Sequence, residues 1–338
     1  MDPIVTTDIQ ELLSRYRETH EETNIAVGIR PSGTIHLGNM SVIALAGYLA
    51  REIGPQNSQV NLTICDTDIP HIHDWKMISQ RHVRYFVDLP DKSECHPNLL
   101  AHASEKIGSF VSDLEALLGV KYNIANLSEV QRQEGFRRGL KRVVEDPNIM
   151  RFLNKRFEKG VLVYPICPEC HTSNPVPSGY SGGILETTCS NPDCDVKYYS
   201  MNILDTSSDL AVHYFIDPLR DRCAEPRSKI HVFGGDYRTR RRNEDVSKVD
   251  KILRVMNIAG EGDIPDIAIG PVFYAKEGGP MSKRKDNGVS LDTLSHSLGS
   301  EYTSRILSLV IQLAEQGYKN VDYQMAQDFL FGNLTCSL

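Results

Sequence analysis

NIAVGIRPSGTIHLGNMSVIALAGYLAREIGPQNSQVNLTICDTD, residues 24–68, decides the fold. Its first six residues form a short apolar run rich in β-branched side chains, and Arg30-Pro31-Ser32-Gly33 follows, so a strand ending in a turn is predicted. GNMSVIALAGYLAREIG then predicts a helix stopped at Gly54, and QVNLTICDTD predicts a second strand. Strand, helix and strand of these lengths make a βαβ unit, which points to an α/β fold on a parallel sheet.

Outward from this unit the pattern is less regular. Upstream, Ile9, Leu12, Leu13 and Tyr16 fall near helical spacing and predict a charged amphipathic helix over 9–23. Downstream, Leu99, Leu100, Ile107, Phe110, Val111, Leu114, Leu117 and Leu118 recur at three and four, the mark of a long helix over 98–119 that buries one face. Sheet-like runs return at LAVHYFID (210–217), KIHVFGGD (229–236) and DIAIGPVFYAK (266–276). The tail carries a helical stripe of Ile306, Leu307, Val310, Ile311 and Ala314.

Four of the eight cysteines lie within 167–194, in a segment broken by turns and prolines. Cys167-x2-Cys170 and Cys189-x4-Cys194 are two thiolate pairs at a ribbon-like spacing, and four thiolates make a closed tetrahedral zinc site. No ligand position is left for water, so the Zn2+ would be structural. His171 is a candidate substitute ligand.

Two further motifs carry chemistry. In RPSGTIHLGNM, the residues Pro31, Ser32, Gly33 and Gly38 let a phosphate or adenosine approach the backbone at the opening of a helix, with His36 and Asn39 as donors to phosphate oxygens. In GGPMSKRKDN (278–287), Met281, Ser282 and Lys283 begin a glycine-flanked loop whose cations, Lys283, Arg284 and Lys285, suit a triphosphate and a leaving pyrophosphate. Between them, Gly234 and Asp236 close a strand where an acid can accept hydrogen bonds from a ribose. Alone, the first motif passes for a turn and the second for a solvated basic loop; in this order the three point to ATP.

On these blocks the chain resembles the class I aminoacyl-tRNA synthetases, and most closely the class I lysyl-tRNA synthetases, over about residues 25–290. PSGTIHLGN looks like that family's first signature, ECHPNLLAHASEKIGSFVSDLEALLGVKY with SEVQRQEGF like its connecting helices, and HYFIDPL, HVFGGDY and GPMSKRKDN like its later core blocks. The resemblance implies a Rossmann-like nucleotide-binding core and ATP bound by the two signatures. It implies in-line attack of an amino-acid carboxylate on the α-phosphate with Mg2+, then transfer to the tRNA acceptor end. His36, Asn39 and Lys283 would be catalytic. The implied division is 1–160 for the first half of the core, 161–200 for the zinc-knuckle insert, 201–295 for the second half and 296–338 for a short helical C-terminal tail.

The sequence departs from the family's pattern in three places. The residue before Pro-Ser-Gly, in the implied amino-acid pocket with Gly28, is Arg30; an aromatic-Arg pair is replaced by Tyr214-Phe215, and a histidine by Tyr237. A guanidinium there would repel a lysine ammonium by several kcal/mol at an effective dielectric near 20, unless Arg30 turns away toward an acid such as Asp66 or Asp68. Arg238, Arg240, Arg241 and Arg242 follow, and the pocket reads as cation-rich. Pro280 stands where the nucleotide loop usually has its first lysine, and about fifty residues follow that loop where the family continues into an anticodon-reading domain.

Composition bounds the remaining choices. With 40% hydrophobic and 24% charged residues in 338, the chain can build a large core, which excludes disordered and fibrous classes. A net charge of −7 excludes coating nucleic acid by bulk attraction, yet leaves room for a local basic strip beside the insert to hold tRNA. The N-terminus has no basic start and apolar run, and no stretch nears the roughly 18 apolar residues of a span, so no membrane and a cytoplasmic placement are expected. Three functions stay open: a tRNA ligase; a stand-alone ligase with a non-tRNA acceptor such as a small molecule, peptide or carrier protein; and an inactive paralogue that binds.

Overall fold

The computed structural model describes residues 5–6, 8–17, 21–31, 35–67, 96–147, 163–171, 179–189, 191, 193–212, 219, 228–234, 265–278, 281, 289–317 and 320–332. In chain order, the first half contains β1 (Val5–Thr6), α1 (Ile9–Arg17), β2 (Thr23–Ile29), α2 (Leu37–Ile53), β3 (Ser58–Ile64), α3 (Leu99–Leu118), β4 (Lys121–Asn126), α4 (Leu127–Arg132) and α5 (Glu134–Glu145). The middle contains β5 (Val163–Pro165), β6 (Gly179–Ser181), β7 (Ile184–Thr188), β8 (Tyr198–Asn202) and β9 (Leu210–Val212). Then come β10 (Ile230–Phe233), β11 (Asp266–Ile269), β12 (Val272–Phe273), α6 (Leu291–Leu298), α7 (Tyr302–Glu315), β13 (Asn320–Val321) and α8 (Tyr323–Phe331).

A six-stranded sheet of order β1-β11-β10-β2-β3-β4 forms the centre, with every pairing parallel. Its two faces differ. Ile25, Val27 and Ile29 of β2, Val60, Leu62 and Ile64 of β3, and Ile230 and Val232 of β10 are all buried in one cluster with α2, α3 and α7. On the other face, Asn24, Gln59, Asn61 and Asn123 form a cross-strand amide ladder: Gln59 donates to Asn24 at 2.6 Å, and Asn123 donates to Gln59 at 2.8 Å. The alternation is set by the period of two along each strand.

Helix α2 is the axle of the core, with Met40 to Ala50 all buried. It comes close to β4 and α3 because Gly47 has no side chain: a Cβ there would lie 2.7 Å from Leu118 Cδ1 and would collide with the Tyr122 hydroxyl. That hydroxyl donates to the Ile43 carbonyl at 3.0 Å. Helix α3 runs from the Asn98 cap, which accepts from Ala101 N, to Gly119 in the left-handed region at φ 65°.

The predicted helix 9–23 is shorter in the structure. Helix α1 ends at Arg17, and Thr23 is already a strand residue, its N–H donating to Asn57 O at 2.7 Å. Besides the buried Ile9, Leu12 and Leu13, an ion pair holds α1: Arg15 Nη1 lies 2.7 Å from both carboxylate oxygens of Asp266, and Asp266 Oδ2 also accepts from the Tyr16 hydroxyl at 3.0 Å.

The run at 210–212 joins no central strand; β9 pairs antiparallel with β5 and closes the base of the insert. Within the insert, β6, β7 and β8 make a three-stranded antiparallel sheet. The C-terminal helices are fused to the core. Helix α7 buries Ile306, Leu307, Leu309, Val310 and Leu313 in the same cluster as α2, and β13 pairs parallel with β12. No described helix is long and apolar enough to cross a membrane.

Candidate active site and metal centre

In this strand order the chain runs from β2 outward to β3 and β4, and later to β10 and β11 on the other side of β2. The order therefore reverses between β2 and β10, and ligands of open parallel sheets bind beyond the carboxyl ends of the strands at such a point. Gly28, Arg30 and Pro31 at the end of β2 and Gly234 after β10 sit there. Gly28 is exposed, Arg30 and Gly234 are half-buried, and Pro31 is buried.

His36 is the N-cap of α2, and its Nδ1 accepts from Gly38 N at 3.1 Å. An accepting Nδ1 puts the neutral ring's proton on Nε2, which becomes the donor edge. Gly38 is needed for this geometry, since a Cβ there would stand 2.9 Å from His36 Cε1 and 3.1 Å from Nδ1. The first N–H groups of α2 are already taken. Leu37 N donates to Val289 O at 2.9 Å, and Asn39 N to His36 O at 2.8 Å. The buried Asn39 Oδ1 beside them has no hydrogen-bond partner among the described residues.

Two hundred and more residues later, the flanks of the basic loop are fastened to the core, one to β12 and the other to this turn. Met281 N donates to Phe273 O at 2.7 Å, and Met281 packs on the core. At the other flank, His36 and Ser290 form an antiparallel bridge, with Leu291 N donating to Ile35 O at 2.8 Å. Ser290 also caps α6 through Thr293 N at 3.0 Å. Ser290 was not among the residues singled out from the sequence; its signal was a serine immediately before Leu291, the first residue of an apolar-periodic stretch.

Of the other predicted site residues, Ser32, Gly33, Tyr214, Phe215, Asp236, Tyr237, Ser282 and Lys283 lie outside the described residues, as do Asp68, Arg284, Lys285 and the arginines at 238 and 240–242. Asp66, considered as an acid for Arg30, is held instead by Ser128: its Oδ1 accepts from the Ser128 N–H at 2.9 Å and its Oδ2 from the hydroxyl at 2.6 Å. Burial pushes the Asp66 carboxyl up against the lowering effect of these bonds.

Cys167, Cys170, Cys189 and Cys194 converge with all four sulfurs within 4.8 Å of one another. Cys167 and Cys194 Sγ are 3.7 Å apart, and Cys170 and Cys189 Sγ 3.4 Å. Zn–S bonds of about 2.3 Å directed to a tetrahedron put sulfurs about 3.8 Å apart, so the quartet has the dimensions of a zinc centre. The backbone builds it by turns: His171 N donates to Cys167 O at 3.0 Å with His171 at φ 54°, and Asn191 N donates to Cys189 Sγ at 3.4 Å. Tyr199 packs on the quartet, and its hydroxyl donates to Pro165 O at 3.1 Å. Burial pushes the Cys189 and Cys194 thiols up, a tendency that a bound divalent cation reverses.

Basic residues of α4 and α5 lie near the insert, several of them in ion pairs. Helices α4 and α5 carry Arg132, Arg138, Lys141 and Arg142, and Lys141 Cε lies 3.2 Å from where a Gly183 Cβ would be. Arg132 pairs with Asp209, Arg138 with Glu134 and Lys141 with Glu145.

The family described as tRNA synthetases class I (K) matches residues 5–192. No curated protein matches the chain at a significant level. Among solved structures, the chain is similar to tyrosyl-tRNA synthetase from Archaeoglobus fulgidus, with 15% identity, TM-score 0.44, and 99% of this chain and 89% of that chain covered. It is also similar to a glutamate-tRNA synthetase from Elizabethkingia anophelis (11%, TM-score 0.44, 91% and 70%). A third is the Thermus thermophilus arginyl-tRNA synthetase (12%, TM-score 0.42, 96% and 64%). With over half its length matched by the family, and with the parallel sheet and the joined signature segments that it carries, the chain belongs to the class I aminoacyl-tRNA synthetases.

Proposed function

We propose that this chain joins ATP and an amino acid into an aminoacyl-adenylate, releasing pyrophosphate, and passes the aminoacyl group to the 3′ end of a tRNA. The observation that carries the reading is the bridge between His36 and Ser290, which fastens the basic loop's flank to the first signature. In the reaction, the amino-acid carboxylate attacks the α-phosphorus and the bond to the bridging oxygen of pyrophosphate breaks. His36 Nε2–H donates to a phosphate oxygen, and Lys283 neutralises charge on the departing pyrophosphate, with Lys285 beside it. Ser32, Gly33, Gly38, Asn39, Gly234, Asp236, Met281 and Ser282 hold the nucleotide, and Mg2+ accompanies the triphosphate. The tRNA hydroxyl then attacks the carbonyl carbon, and AMP leaves. Cys167, Cys170, Cys189 and Cys194 hold a Zn2+ that organises the insert and takes no part in the chemistry.

Lysine is the amino acid that the family's one-letter K names, and Gly28, Arg30, Tyr214, Phe215 and Tyr237 form its pocket in this reading. Half-buried Arg30 at the end of β2 favours a second reading, in which the side chain carries a carboxylate or a neutral polar group. Amino-acid-dependent pyrophosphate exchange across the common amino acids, with and without total tRNA, tests both. Exchange followed by tRNA charging is expected. Exchange without charging would move the acceptor to another molecule, and no exchange with any amino acid would overturn the reading.

A further inference from the structure

Arg137 sits within α5 and is only 1% exposed, an unusual place for a guanidinium. It is accommodated because three backbone carbonyls converge on it. Nε donates to Gln131 O at 2.6 Å, Nη1 to Ile203 O at 3.4 Å, and Nη2 to Ser208 O. The carbonyls of Ile203 and Ser208 belong to the turn that directly continues β8, the strand that carries Tyr199 into the cysteine quartet. Asp205 shapes that turn: its carboxylate accepts from Ser207 N at 2.9 Å, Ser207 Oγ at 2.6 Å and Ser208 Oγ at 2.6 Å. Ile203 N also donates to Gly183 O at 2.8 Å, which ties the turn to the β6–β7 hairpin.

The same guanidinium leads toward the site. Gln131, whose carbonyl Arg137 holds, accepts through its side chain from the Thr67 hydroxyl at 3.1 Å; both residues are buried. Thr67 follows Asp66, which Ser128 in the first turn of α4 holds, and Cys65 N donates to Ile29 O at 2.8 Å, one residue before Arg30. A path of hydrogen bonds joined by short stretches of backbone, 203–208 and 65–67, thus runs from the metal-bearing insert to the amino-acid side of the crevice.

We infer that Arg137 is a positioning residue that couples metal occupancy of the four-cysteine quartet to the carboxyl end of β3. The coupling deepens the adenylate reading, and its catalytic consequence rests on that reading. Loss of the metal loosens β8 and the turn after it, Arg137 loses two of its three carbonyl partners, and Gln131 no longer fixes Thr67.

Hydrogen exchange of the full chain, zinc-loaded and chelator-treated, tests this without activity. In the unsubstituted chain, chelation is expected to speed exchange at residues 203–208 and also, on the order of tenfold, at Cys65, Asp66 and Ser128. In Thr67→Val, which keeps Arg137 and its carbonyls, the response at 203–208 should persist while that at Cys65 and Asp66 shrinks to within about twofold. Arg137→Lys, which has fewer donors, should lose both the Cys65 and Ser128 responses. A response confined to the insert in the unsubstituted chain, an undiminished response in both variants, or loss of protection throughout the β2–β3 ladder would each overturn the inference. With an activated amino acid in hand, Arg137→Lys should raise its KM and leave the KM for ATP unchanged. If no amino acid is activated, the adenylate reading fails while the exchange coupling is still decided.

Discussion

His36 and Ser290 lie side by side in an antiparallel bridge, although more than 250 positions of chain separate them. The bridge makes the N-cap of α2 and the exit of the basic loop one structural unit. A change at either should be felt at the other.

Gly38→Ala tests the His36 end. The added Cβ would press on the imidazole at 2.9 Å, so the ring must leave its capping position. Loss of a cap costs about 1 kcal/mol of stability. The larger effect is expected in pyrophosphate exchange, which should fall about 100-fold, the scale of a 1 Å misplacement of a reacting group. Exchange within twofold of the unsubstituted chain would show that the ring's position does not matter.

Arg30→Ser tests amino-acid selection. If the guanidinium faces the pocket, its removal should raise kcat/KM for lysine relative to glutamate by about tenfold or more, the least that relief of a like-charge contact would give. An unchanged ratio would place the guanidinium away from the amino acid.

Gly47→Ala tests the axle of the core. The new methyl has no room beside Leu118 Cδ1 and the Tyr122 hydroxyl, and overpacking of this kind costs about 1–3 kcal/mol. Urea denaturation should show the loss, and adding Tyr122→Phe should recover part of it, since the two positions share one contact.

Asp66 gives a pH dependence of defined sign. Burial raises its carboxyl in the folded state above the ordinary 3.8, so folding favours the protonated form. The associated stabilisation is present below the unfolded value and is lost as pH rises through the folded one. The difference in melting temperature between Asp66→Asn and the unsubstituted chain should therefore become more favourable to the variant from pH 4 to pH 7, as followed by circular dichroism. A difference independent of pH would contradict the assignment.

The quartet should carry one zinc per chain by elemental analysis, and Cys189→Ser should lower that occupancy. Because burial pushes the Cys189 thiol up, protons compete strongly with the metal, and retention should fall as pH is lowered. A stoichiometry near zero in the unsubstituted chain at neutral pH would exclude the centre.

The βαβ unit was legible because NIAVGI, the apolar helix ending at Gly54 and QVNLTI each carry their own local signal. The cysteine quartet was legible for the same reason, since its spacing is local. What stayed hidden depends on distant partners. Val5 and Thr6 are too short a run to show a strand period, and only their ladder with Ile267 and Ala268 makes them one. Arg137 stands among Arg138, Lys141 and Arg142 in α5, and its spacing of three to the buried Leu140 is the local sign that it turns inward. The consumption of the first α2 N–H groups by Val289 and by His36 itself could not be read from the glycine-bearing turn alone.

The edge pairing of β1 with β11 has a consequence for how this chain is born. Val5 and Thr6 leave the ribosome more than 260 residues ahead of their hydrogen-bonding partners at 267 and 268. At roughly 5–20 residues per second, that interval is tens of seconds. Arg15 and Asp266 wait across the same gap. During synthesis the β1 segment is therefore an unfinished edge, and the six-stranded sheet cannot close until β11 has emerged.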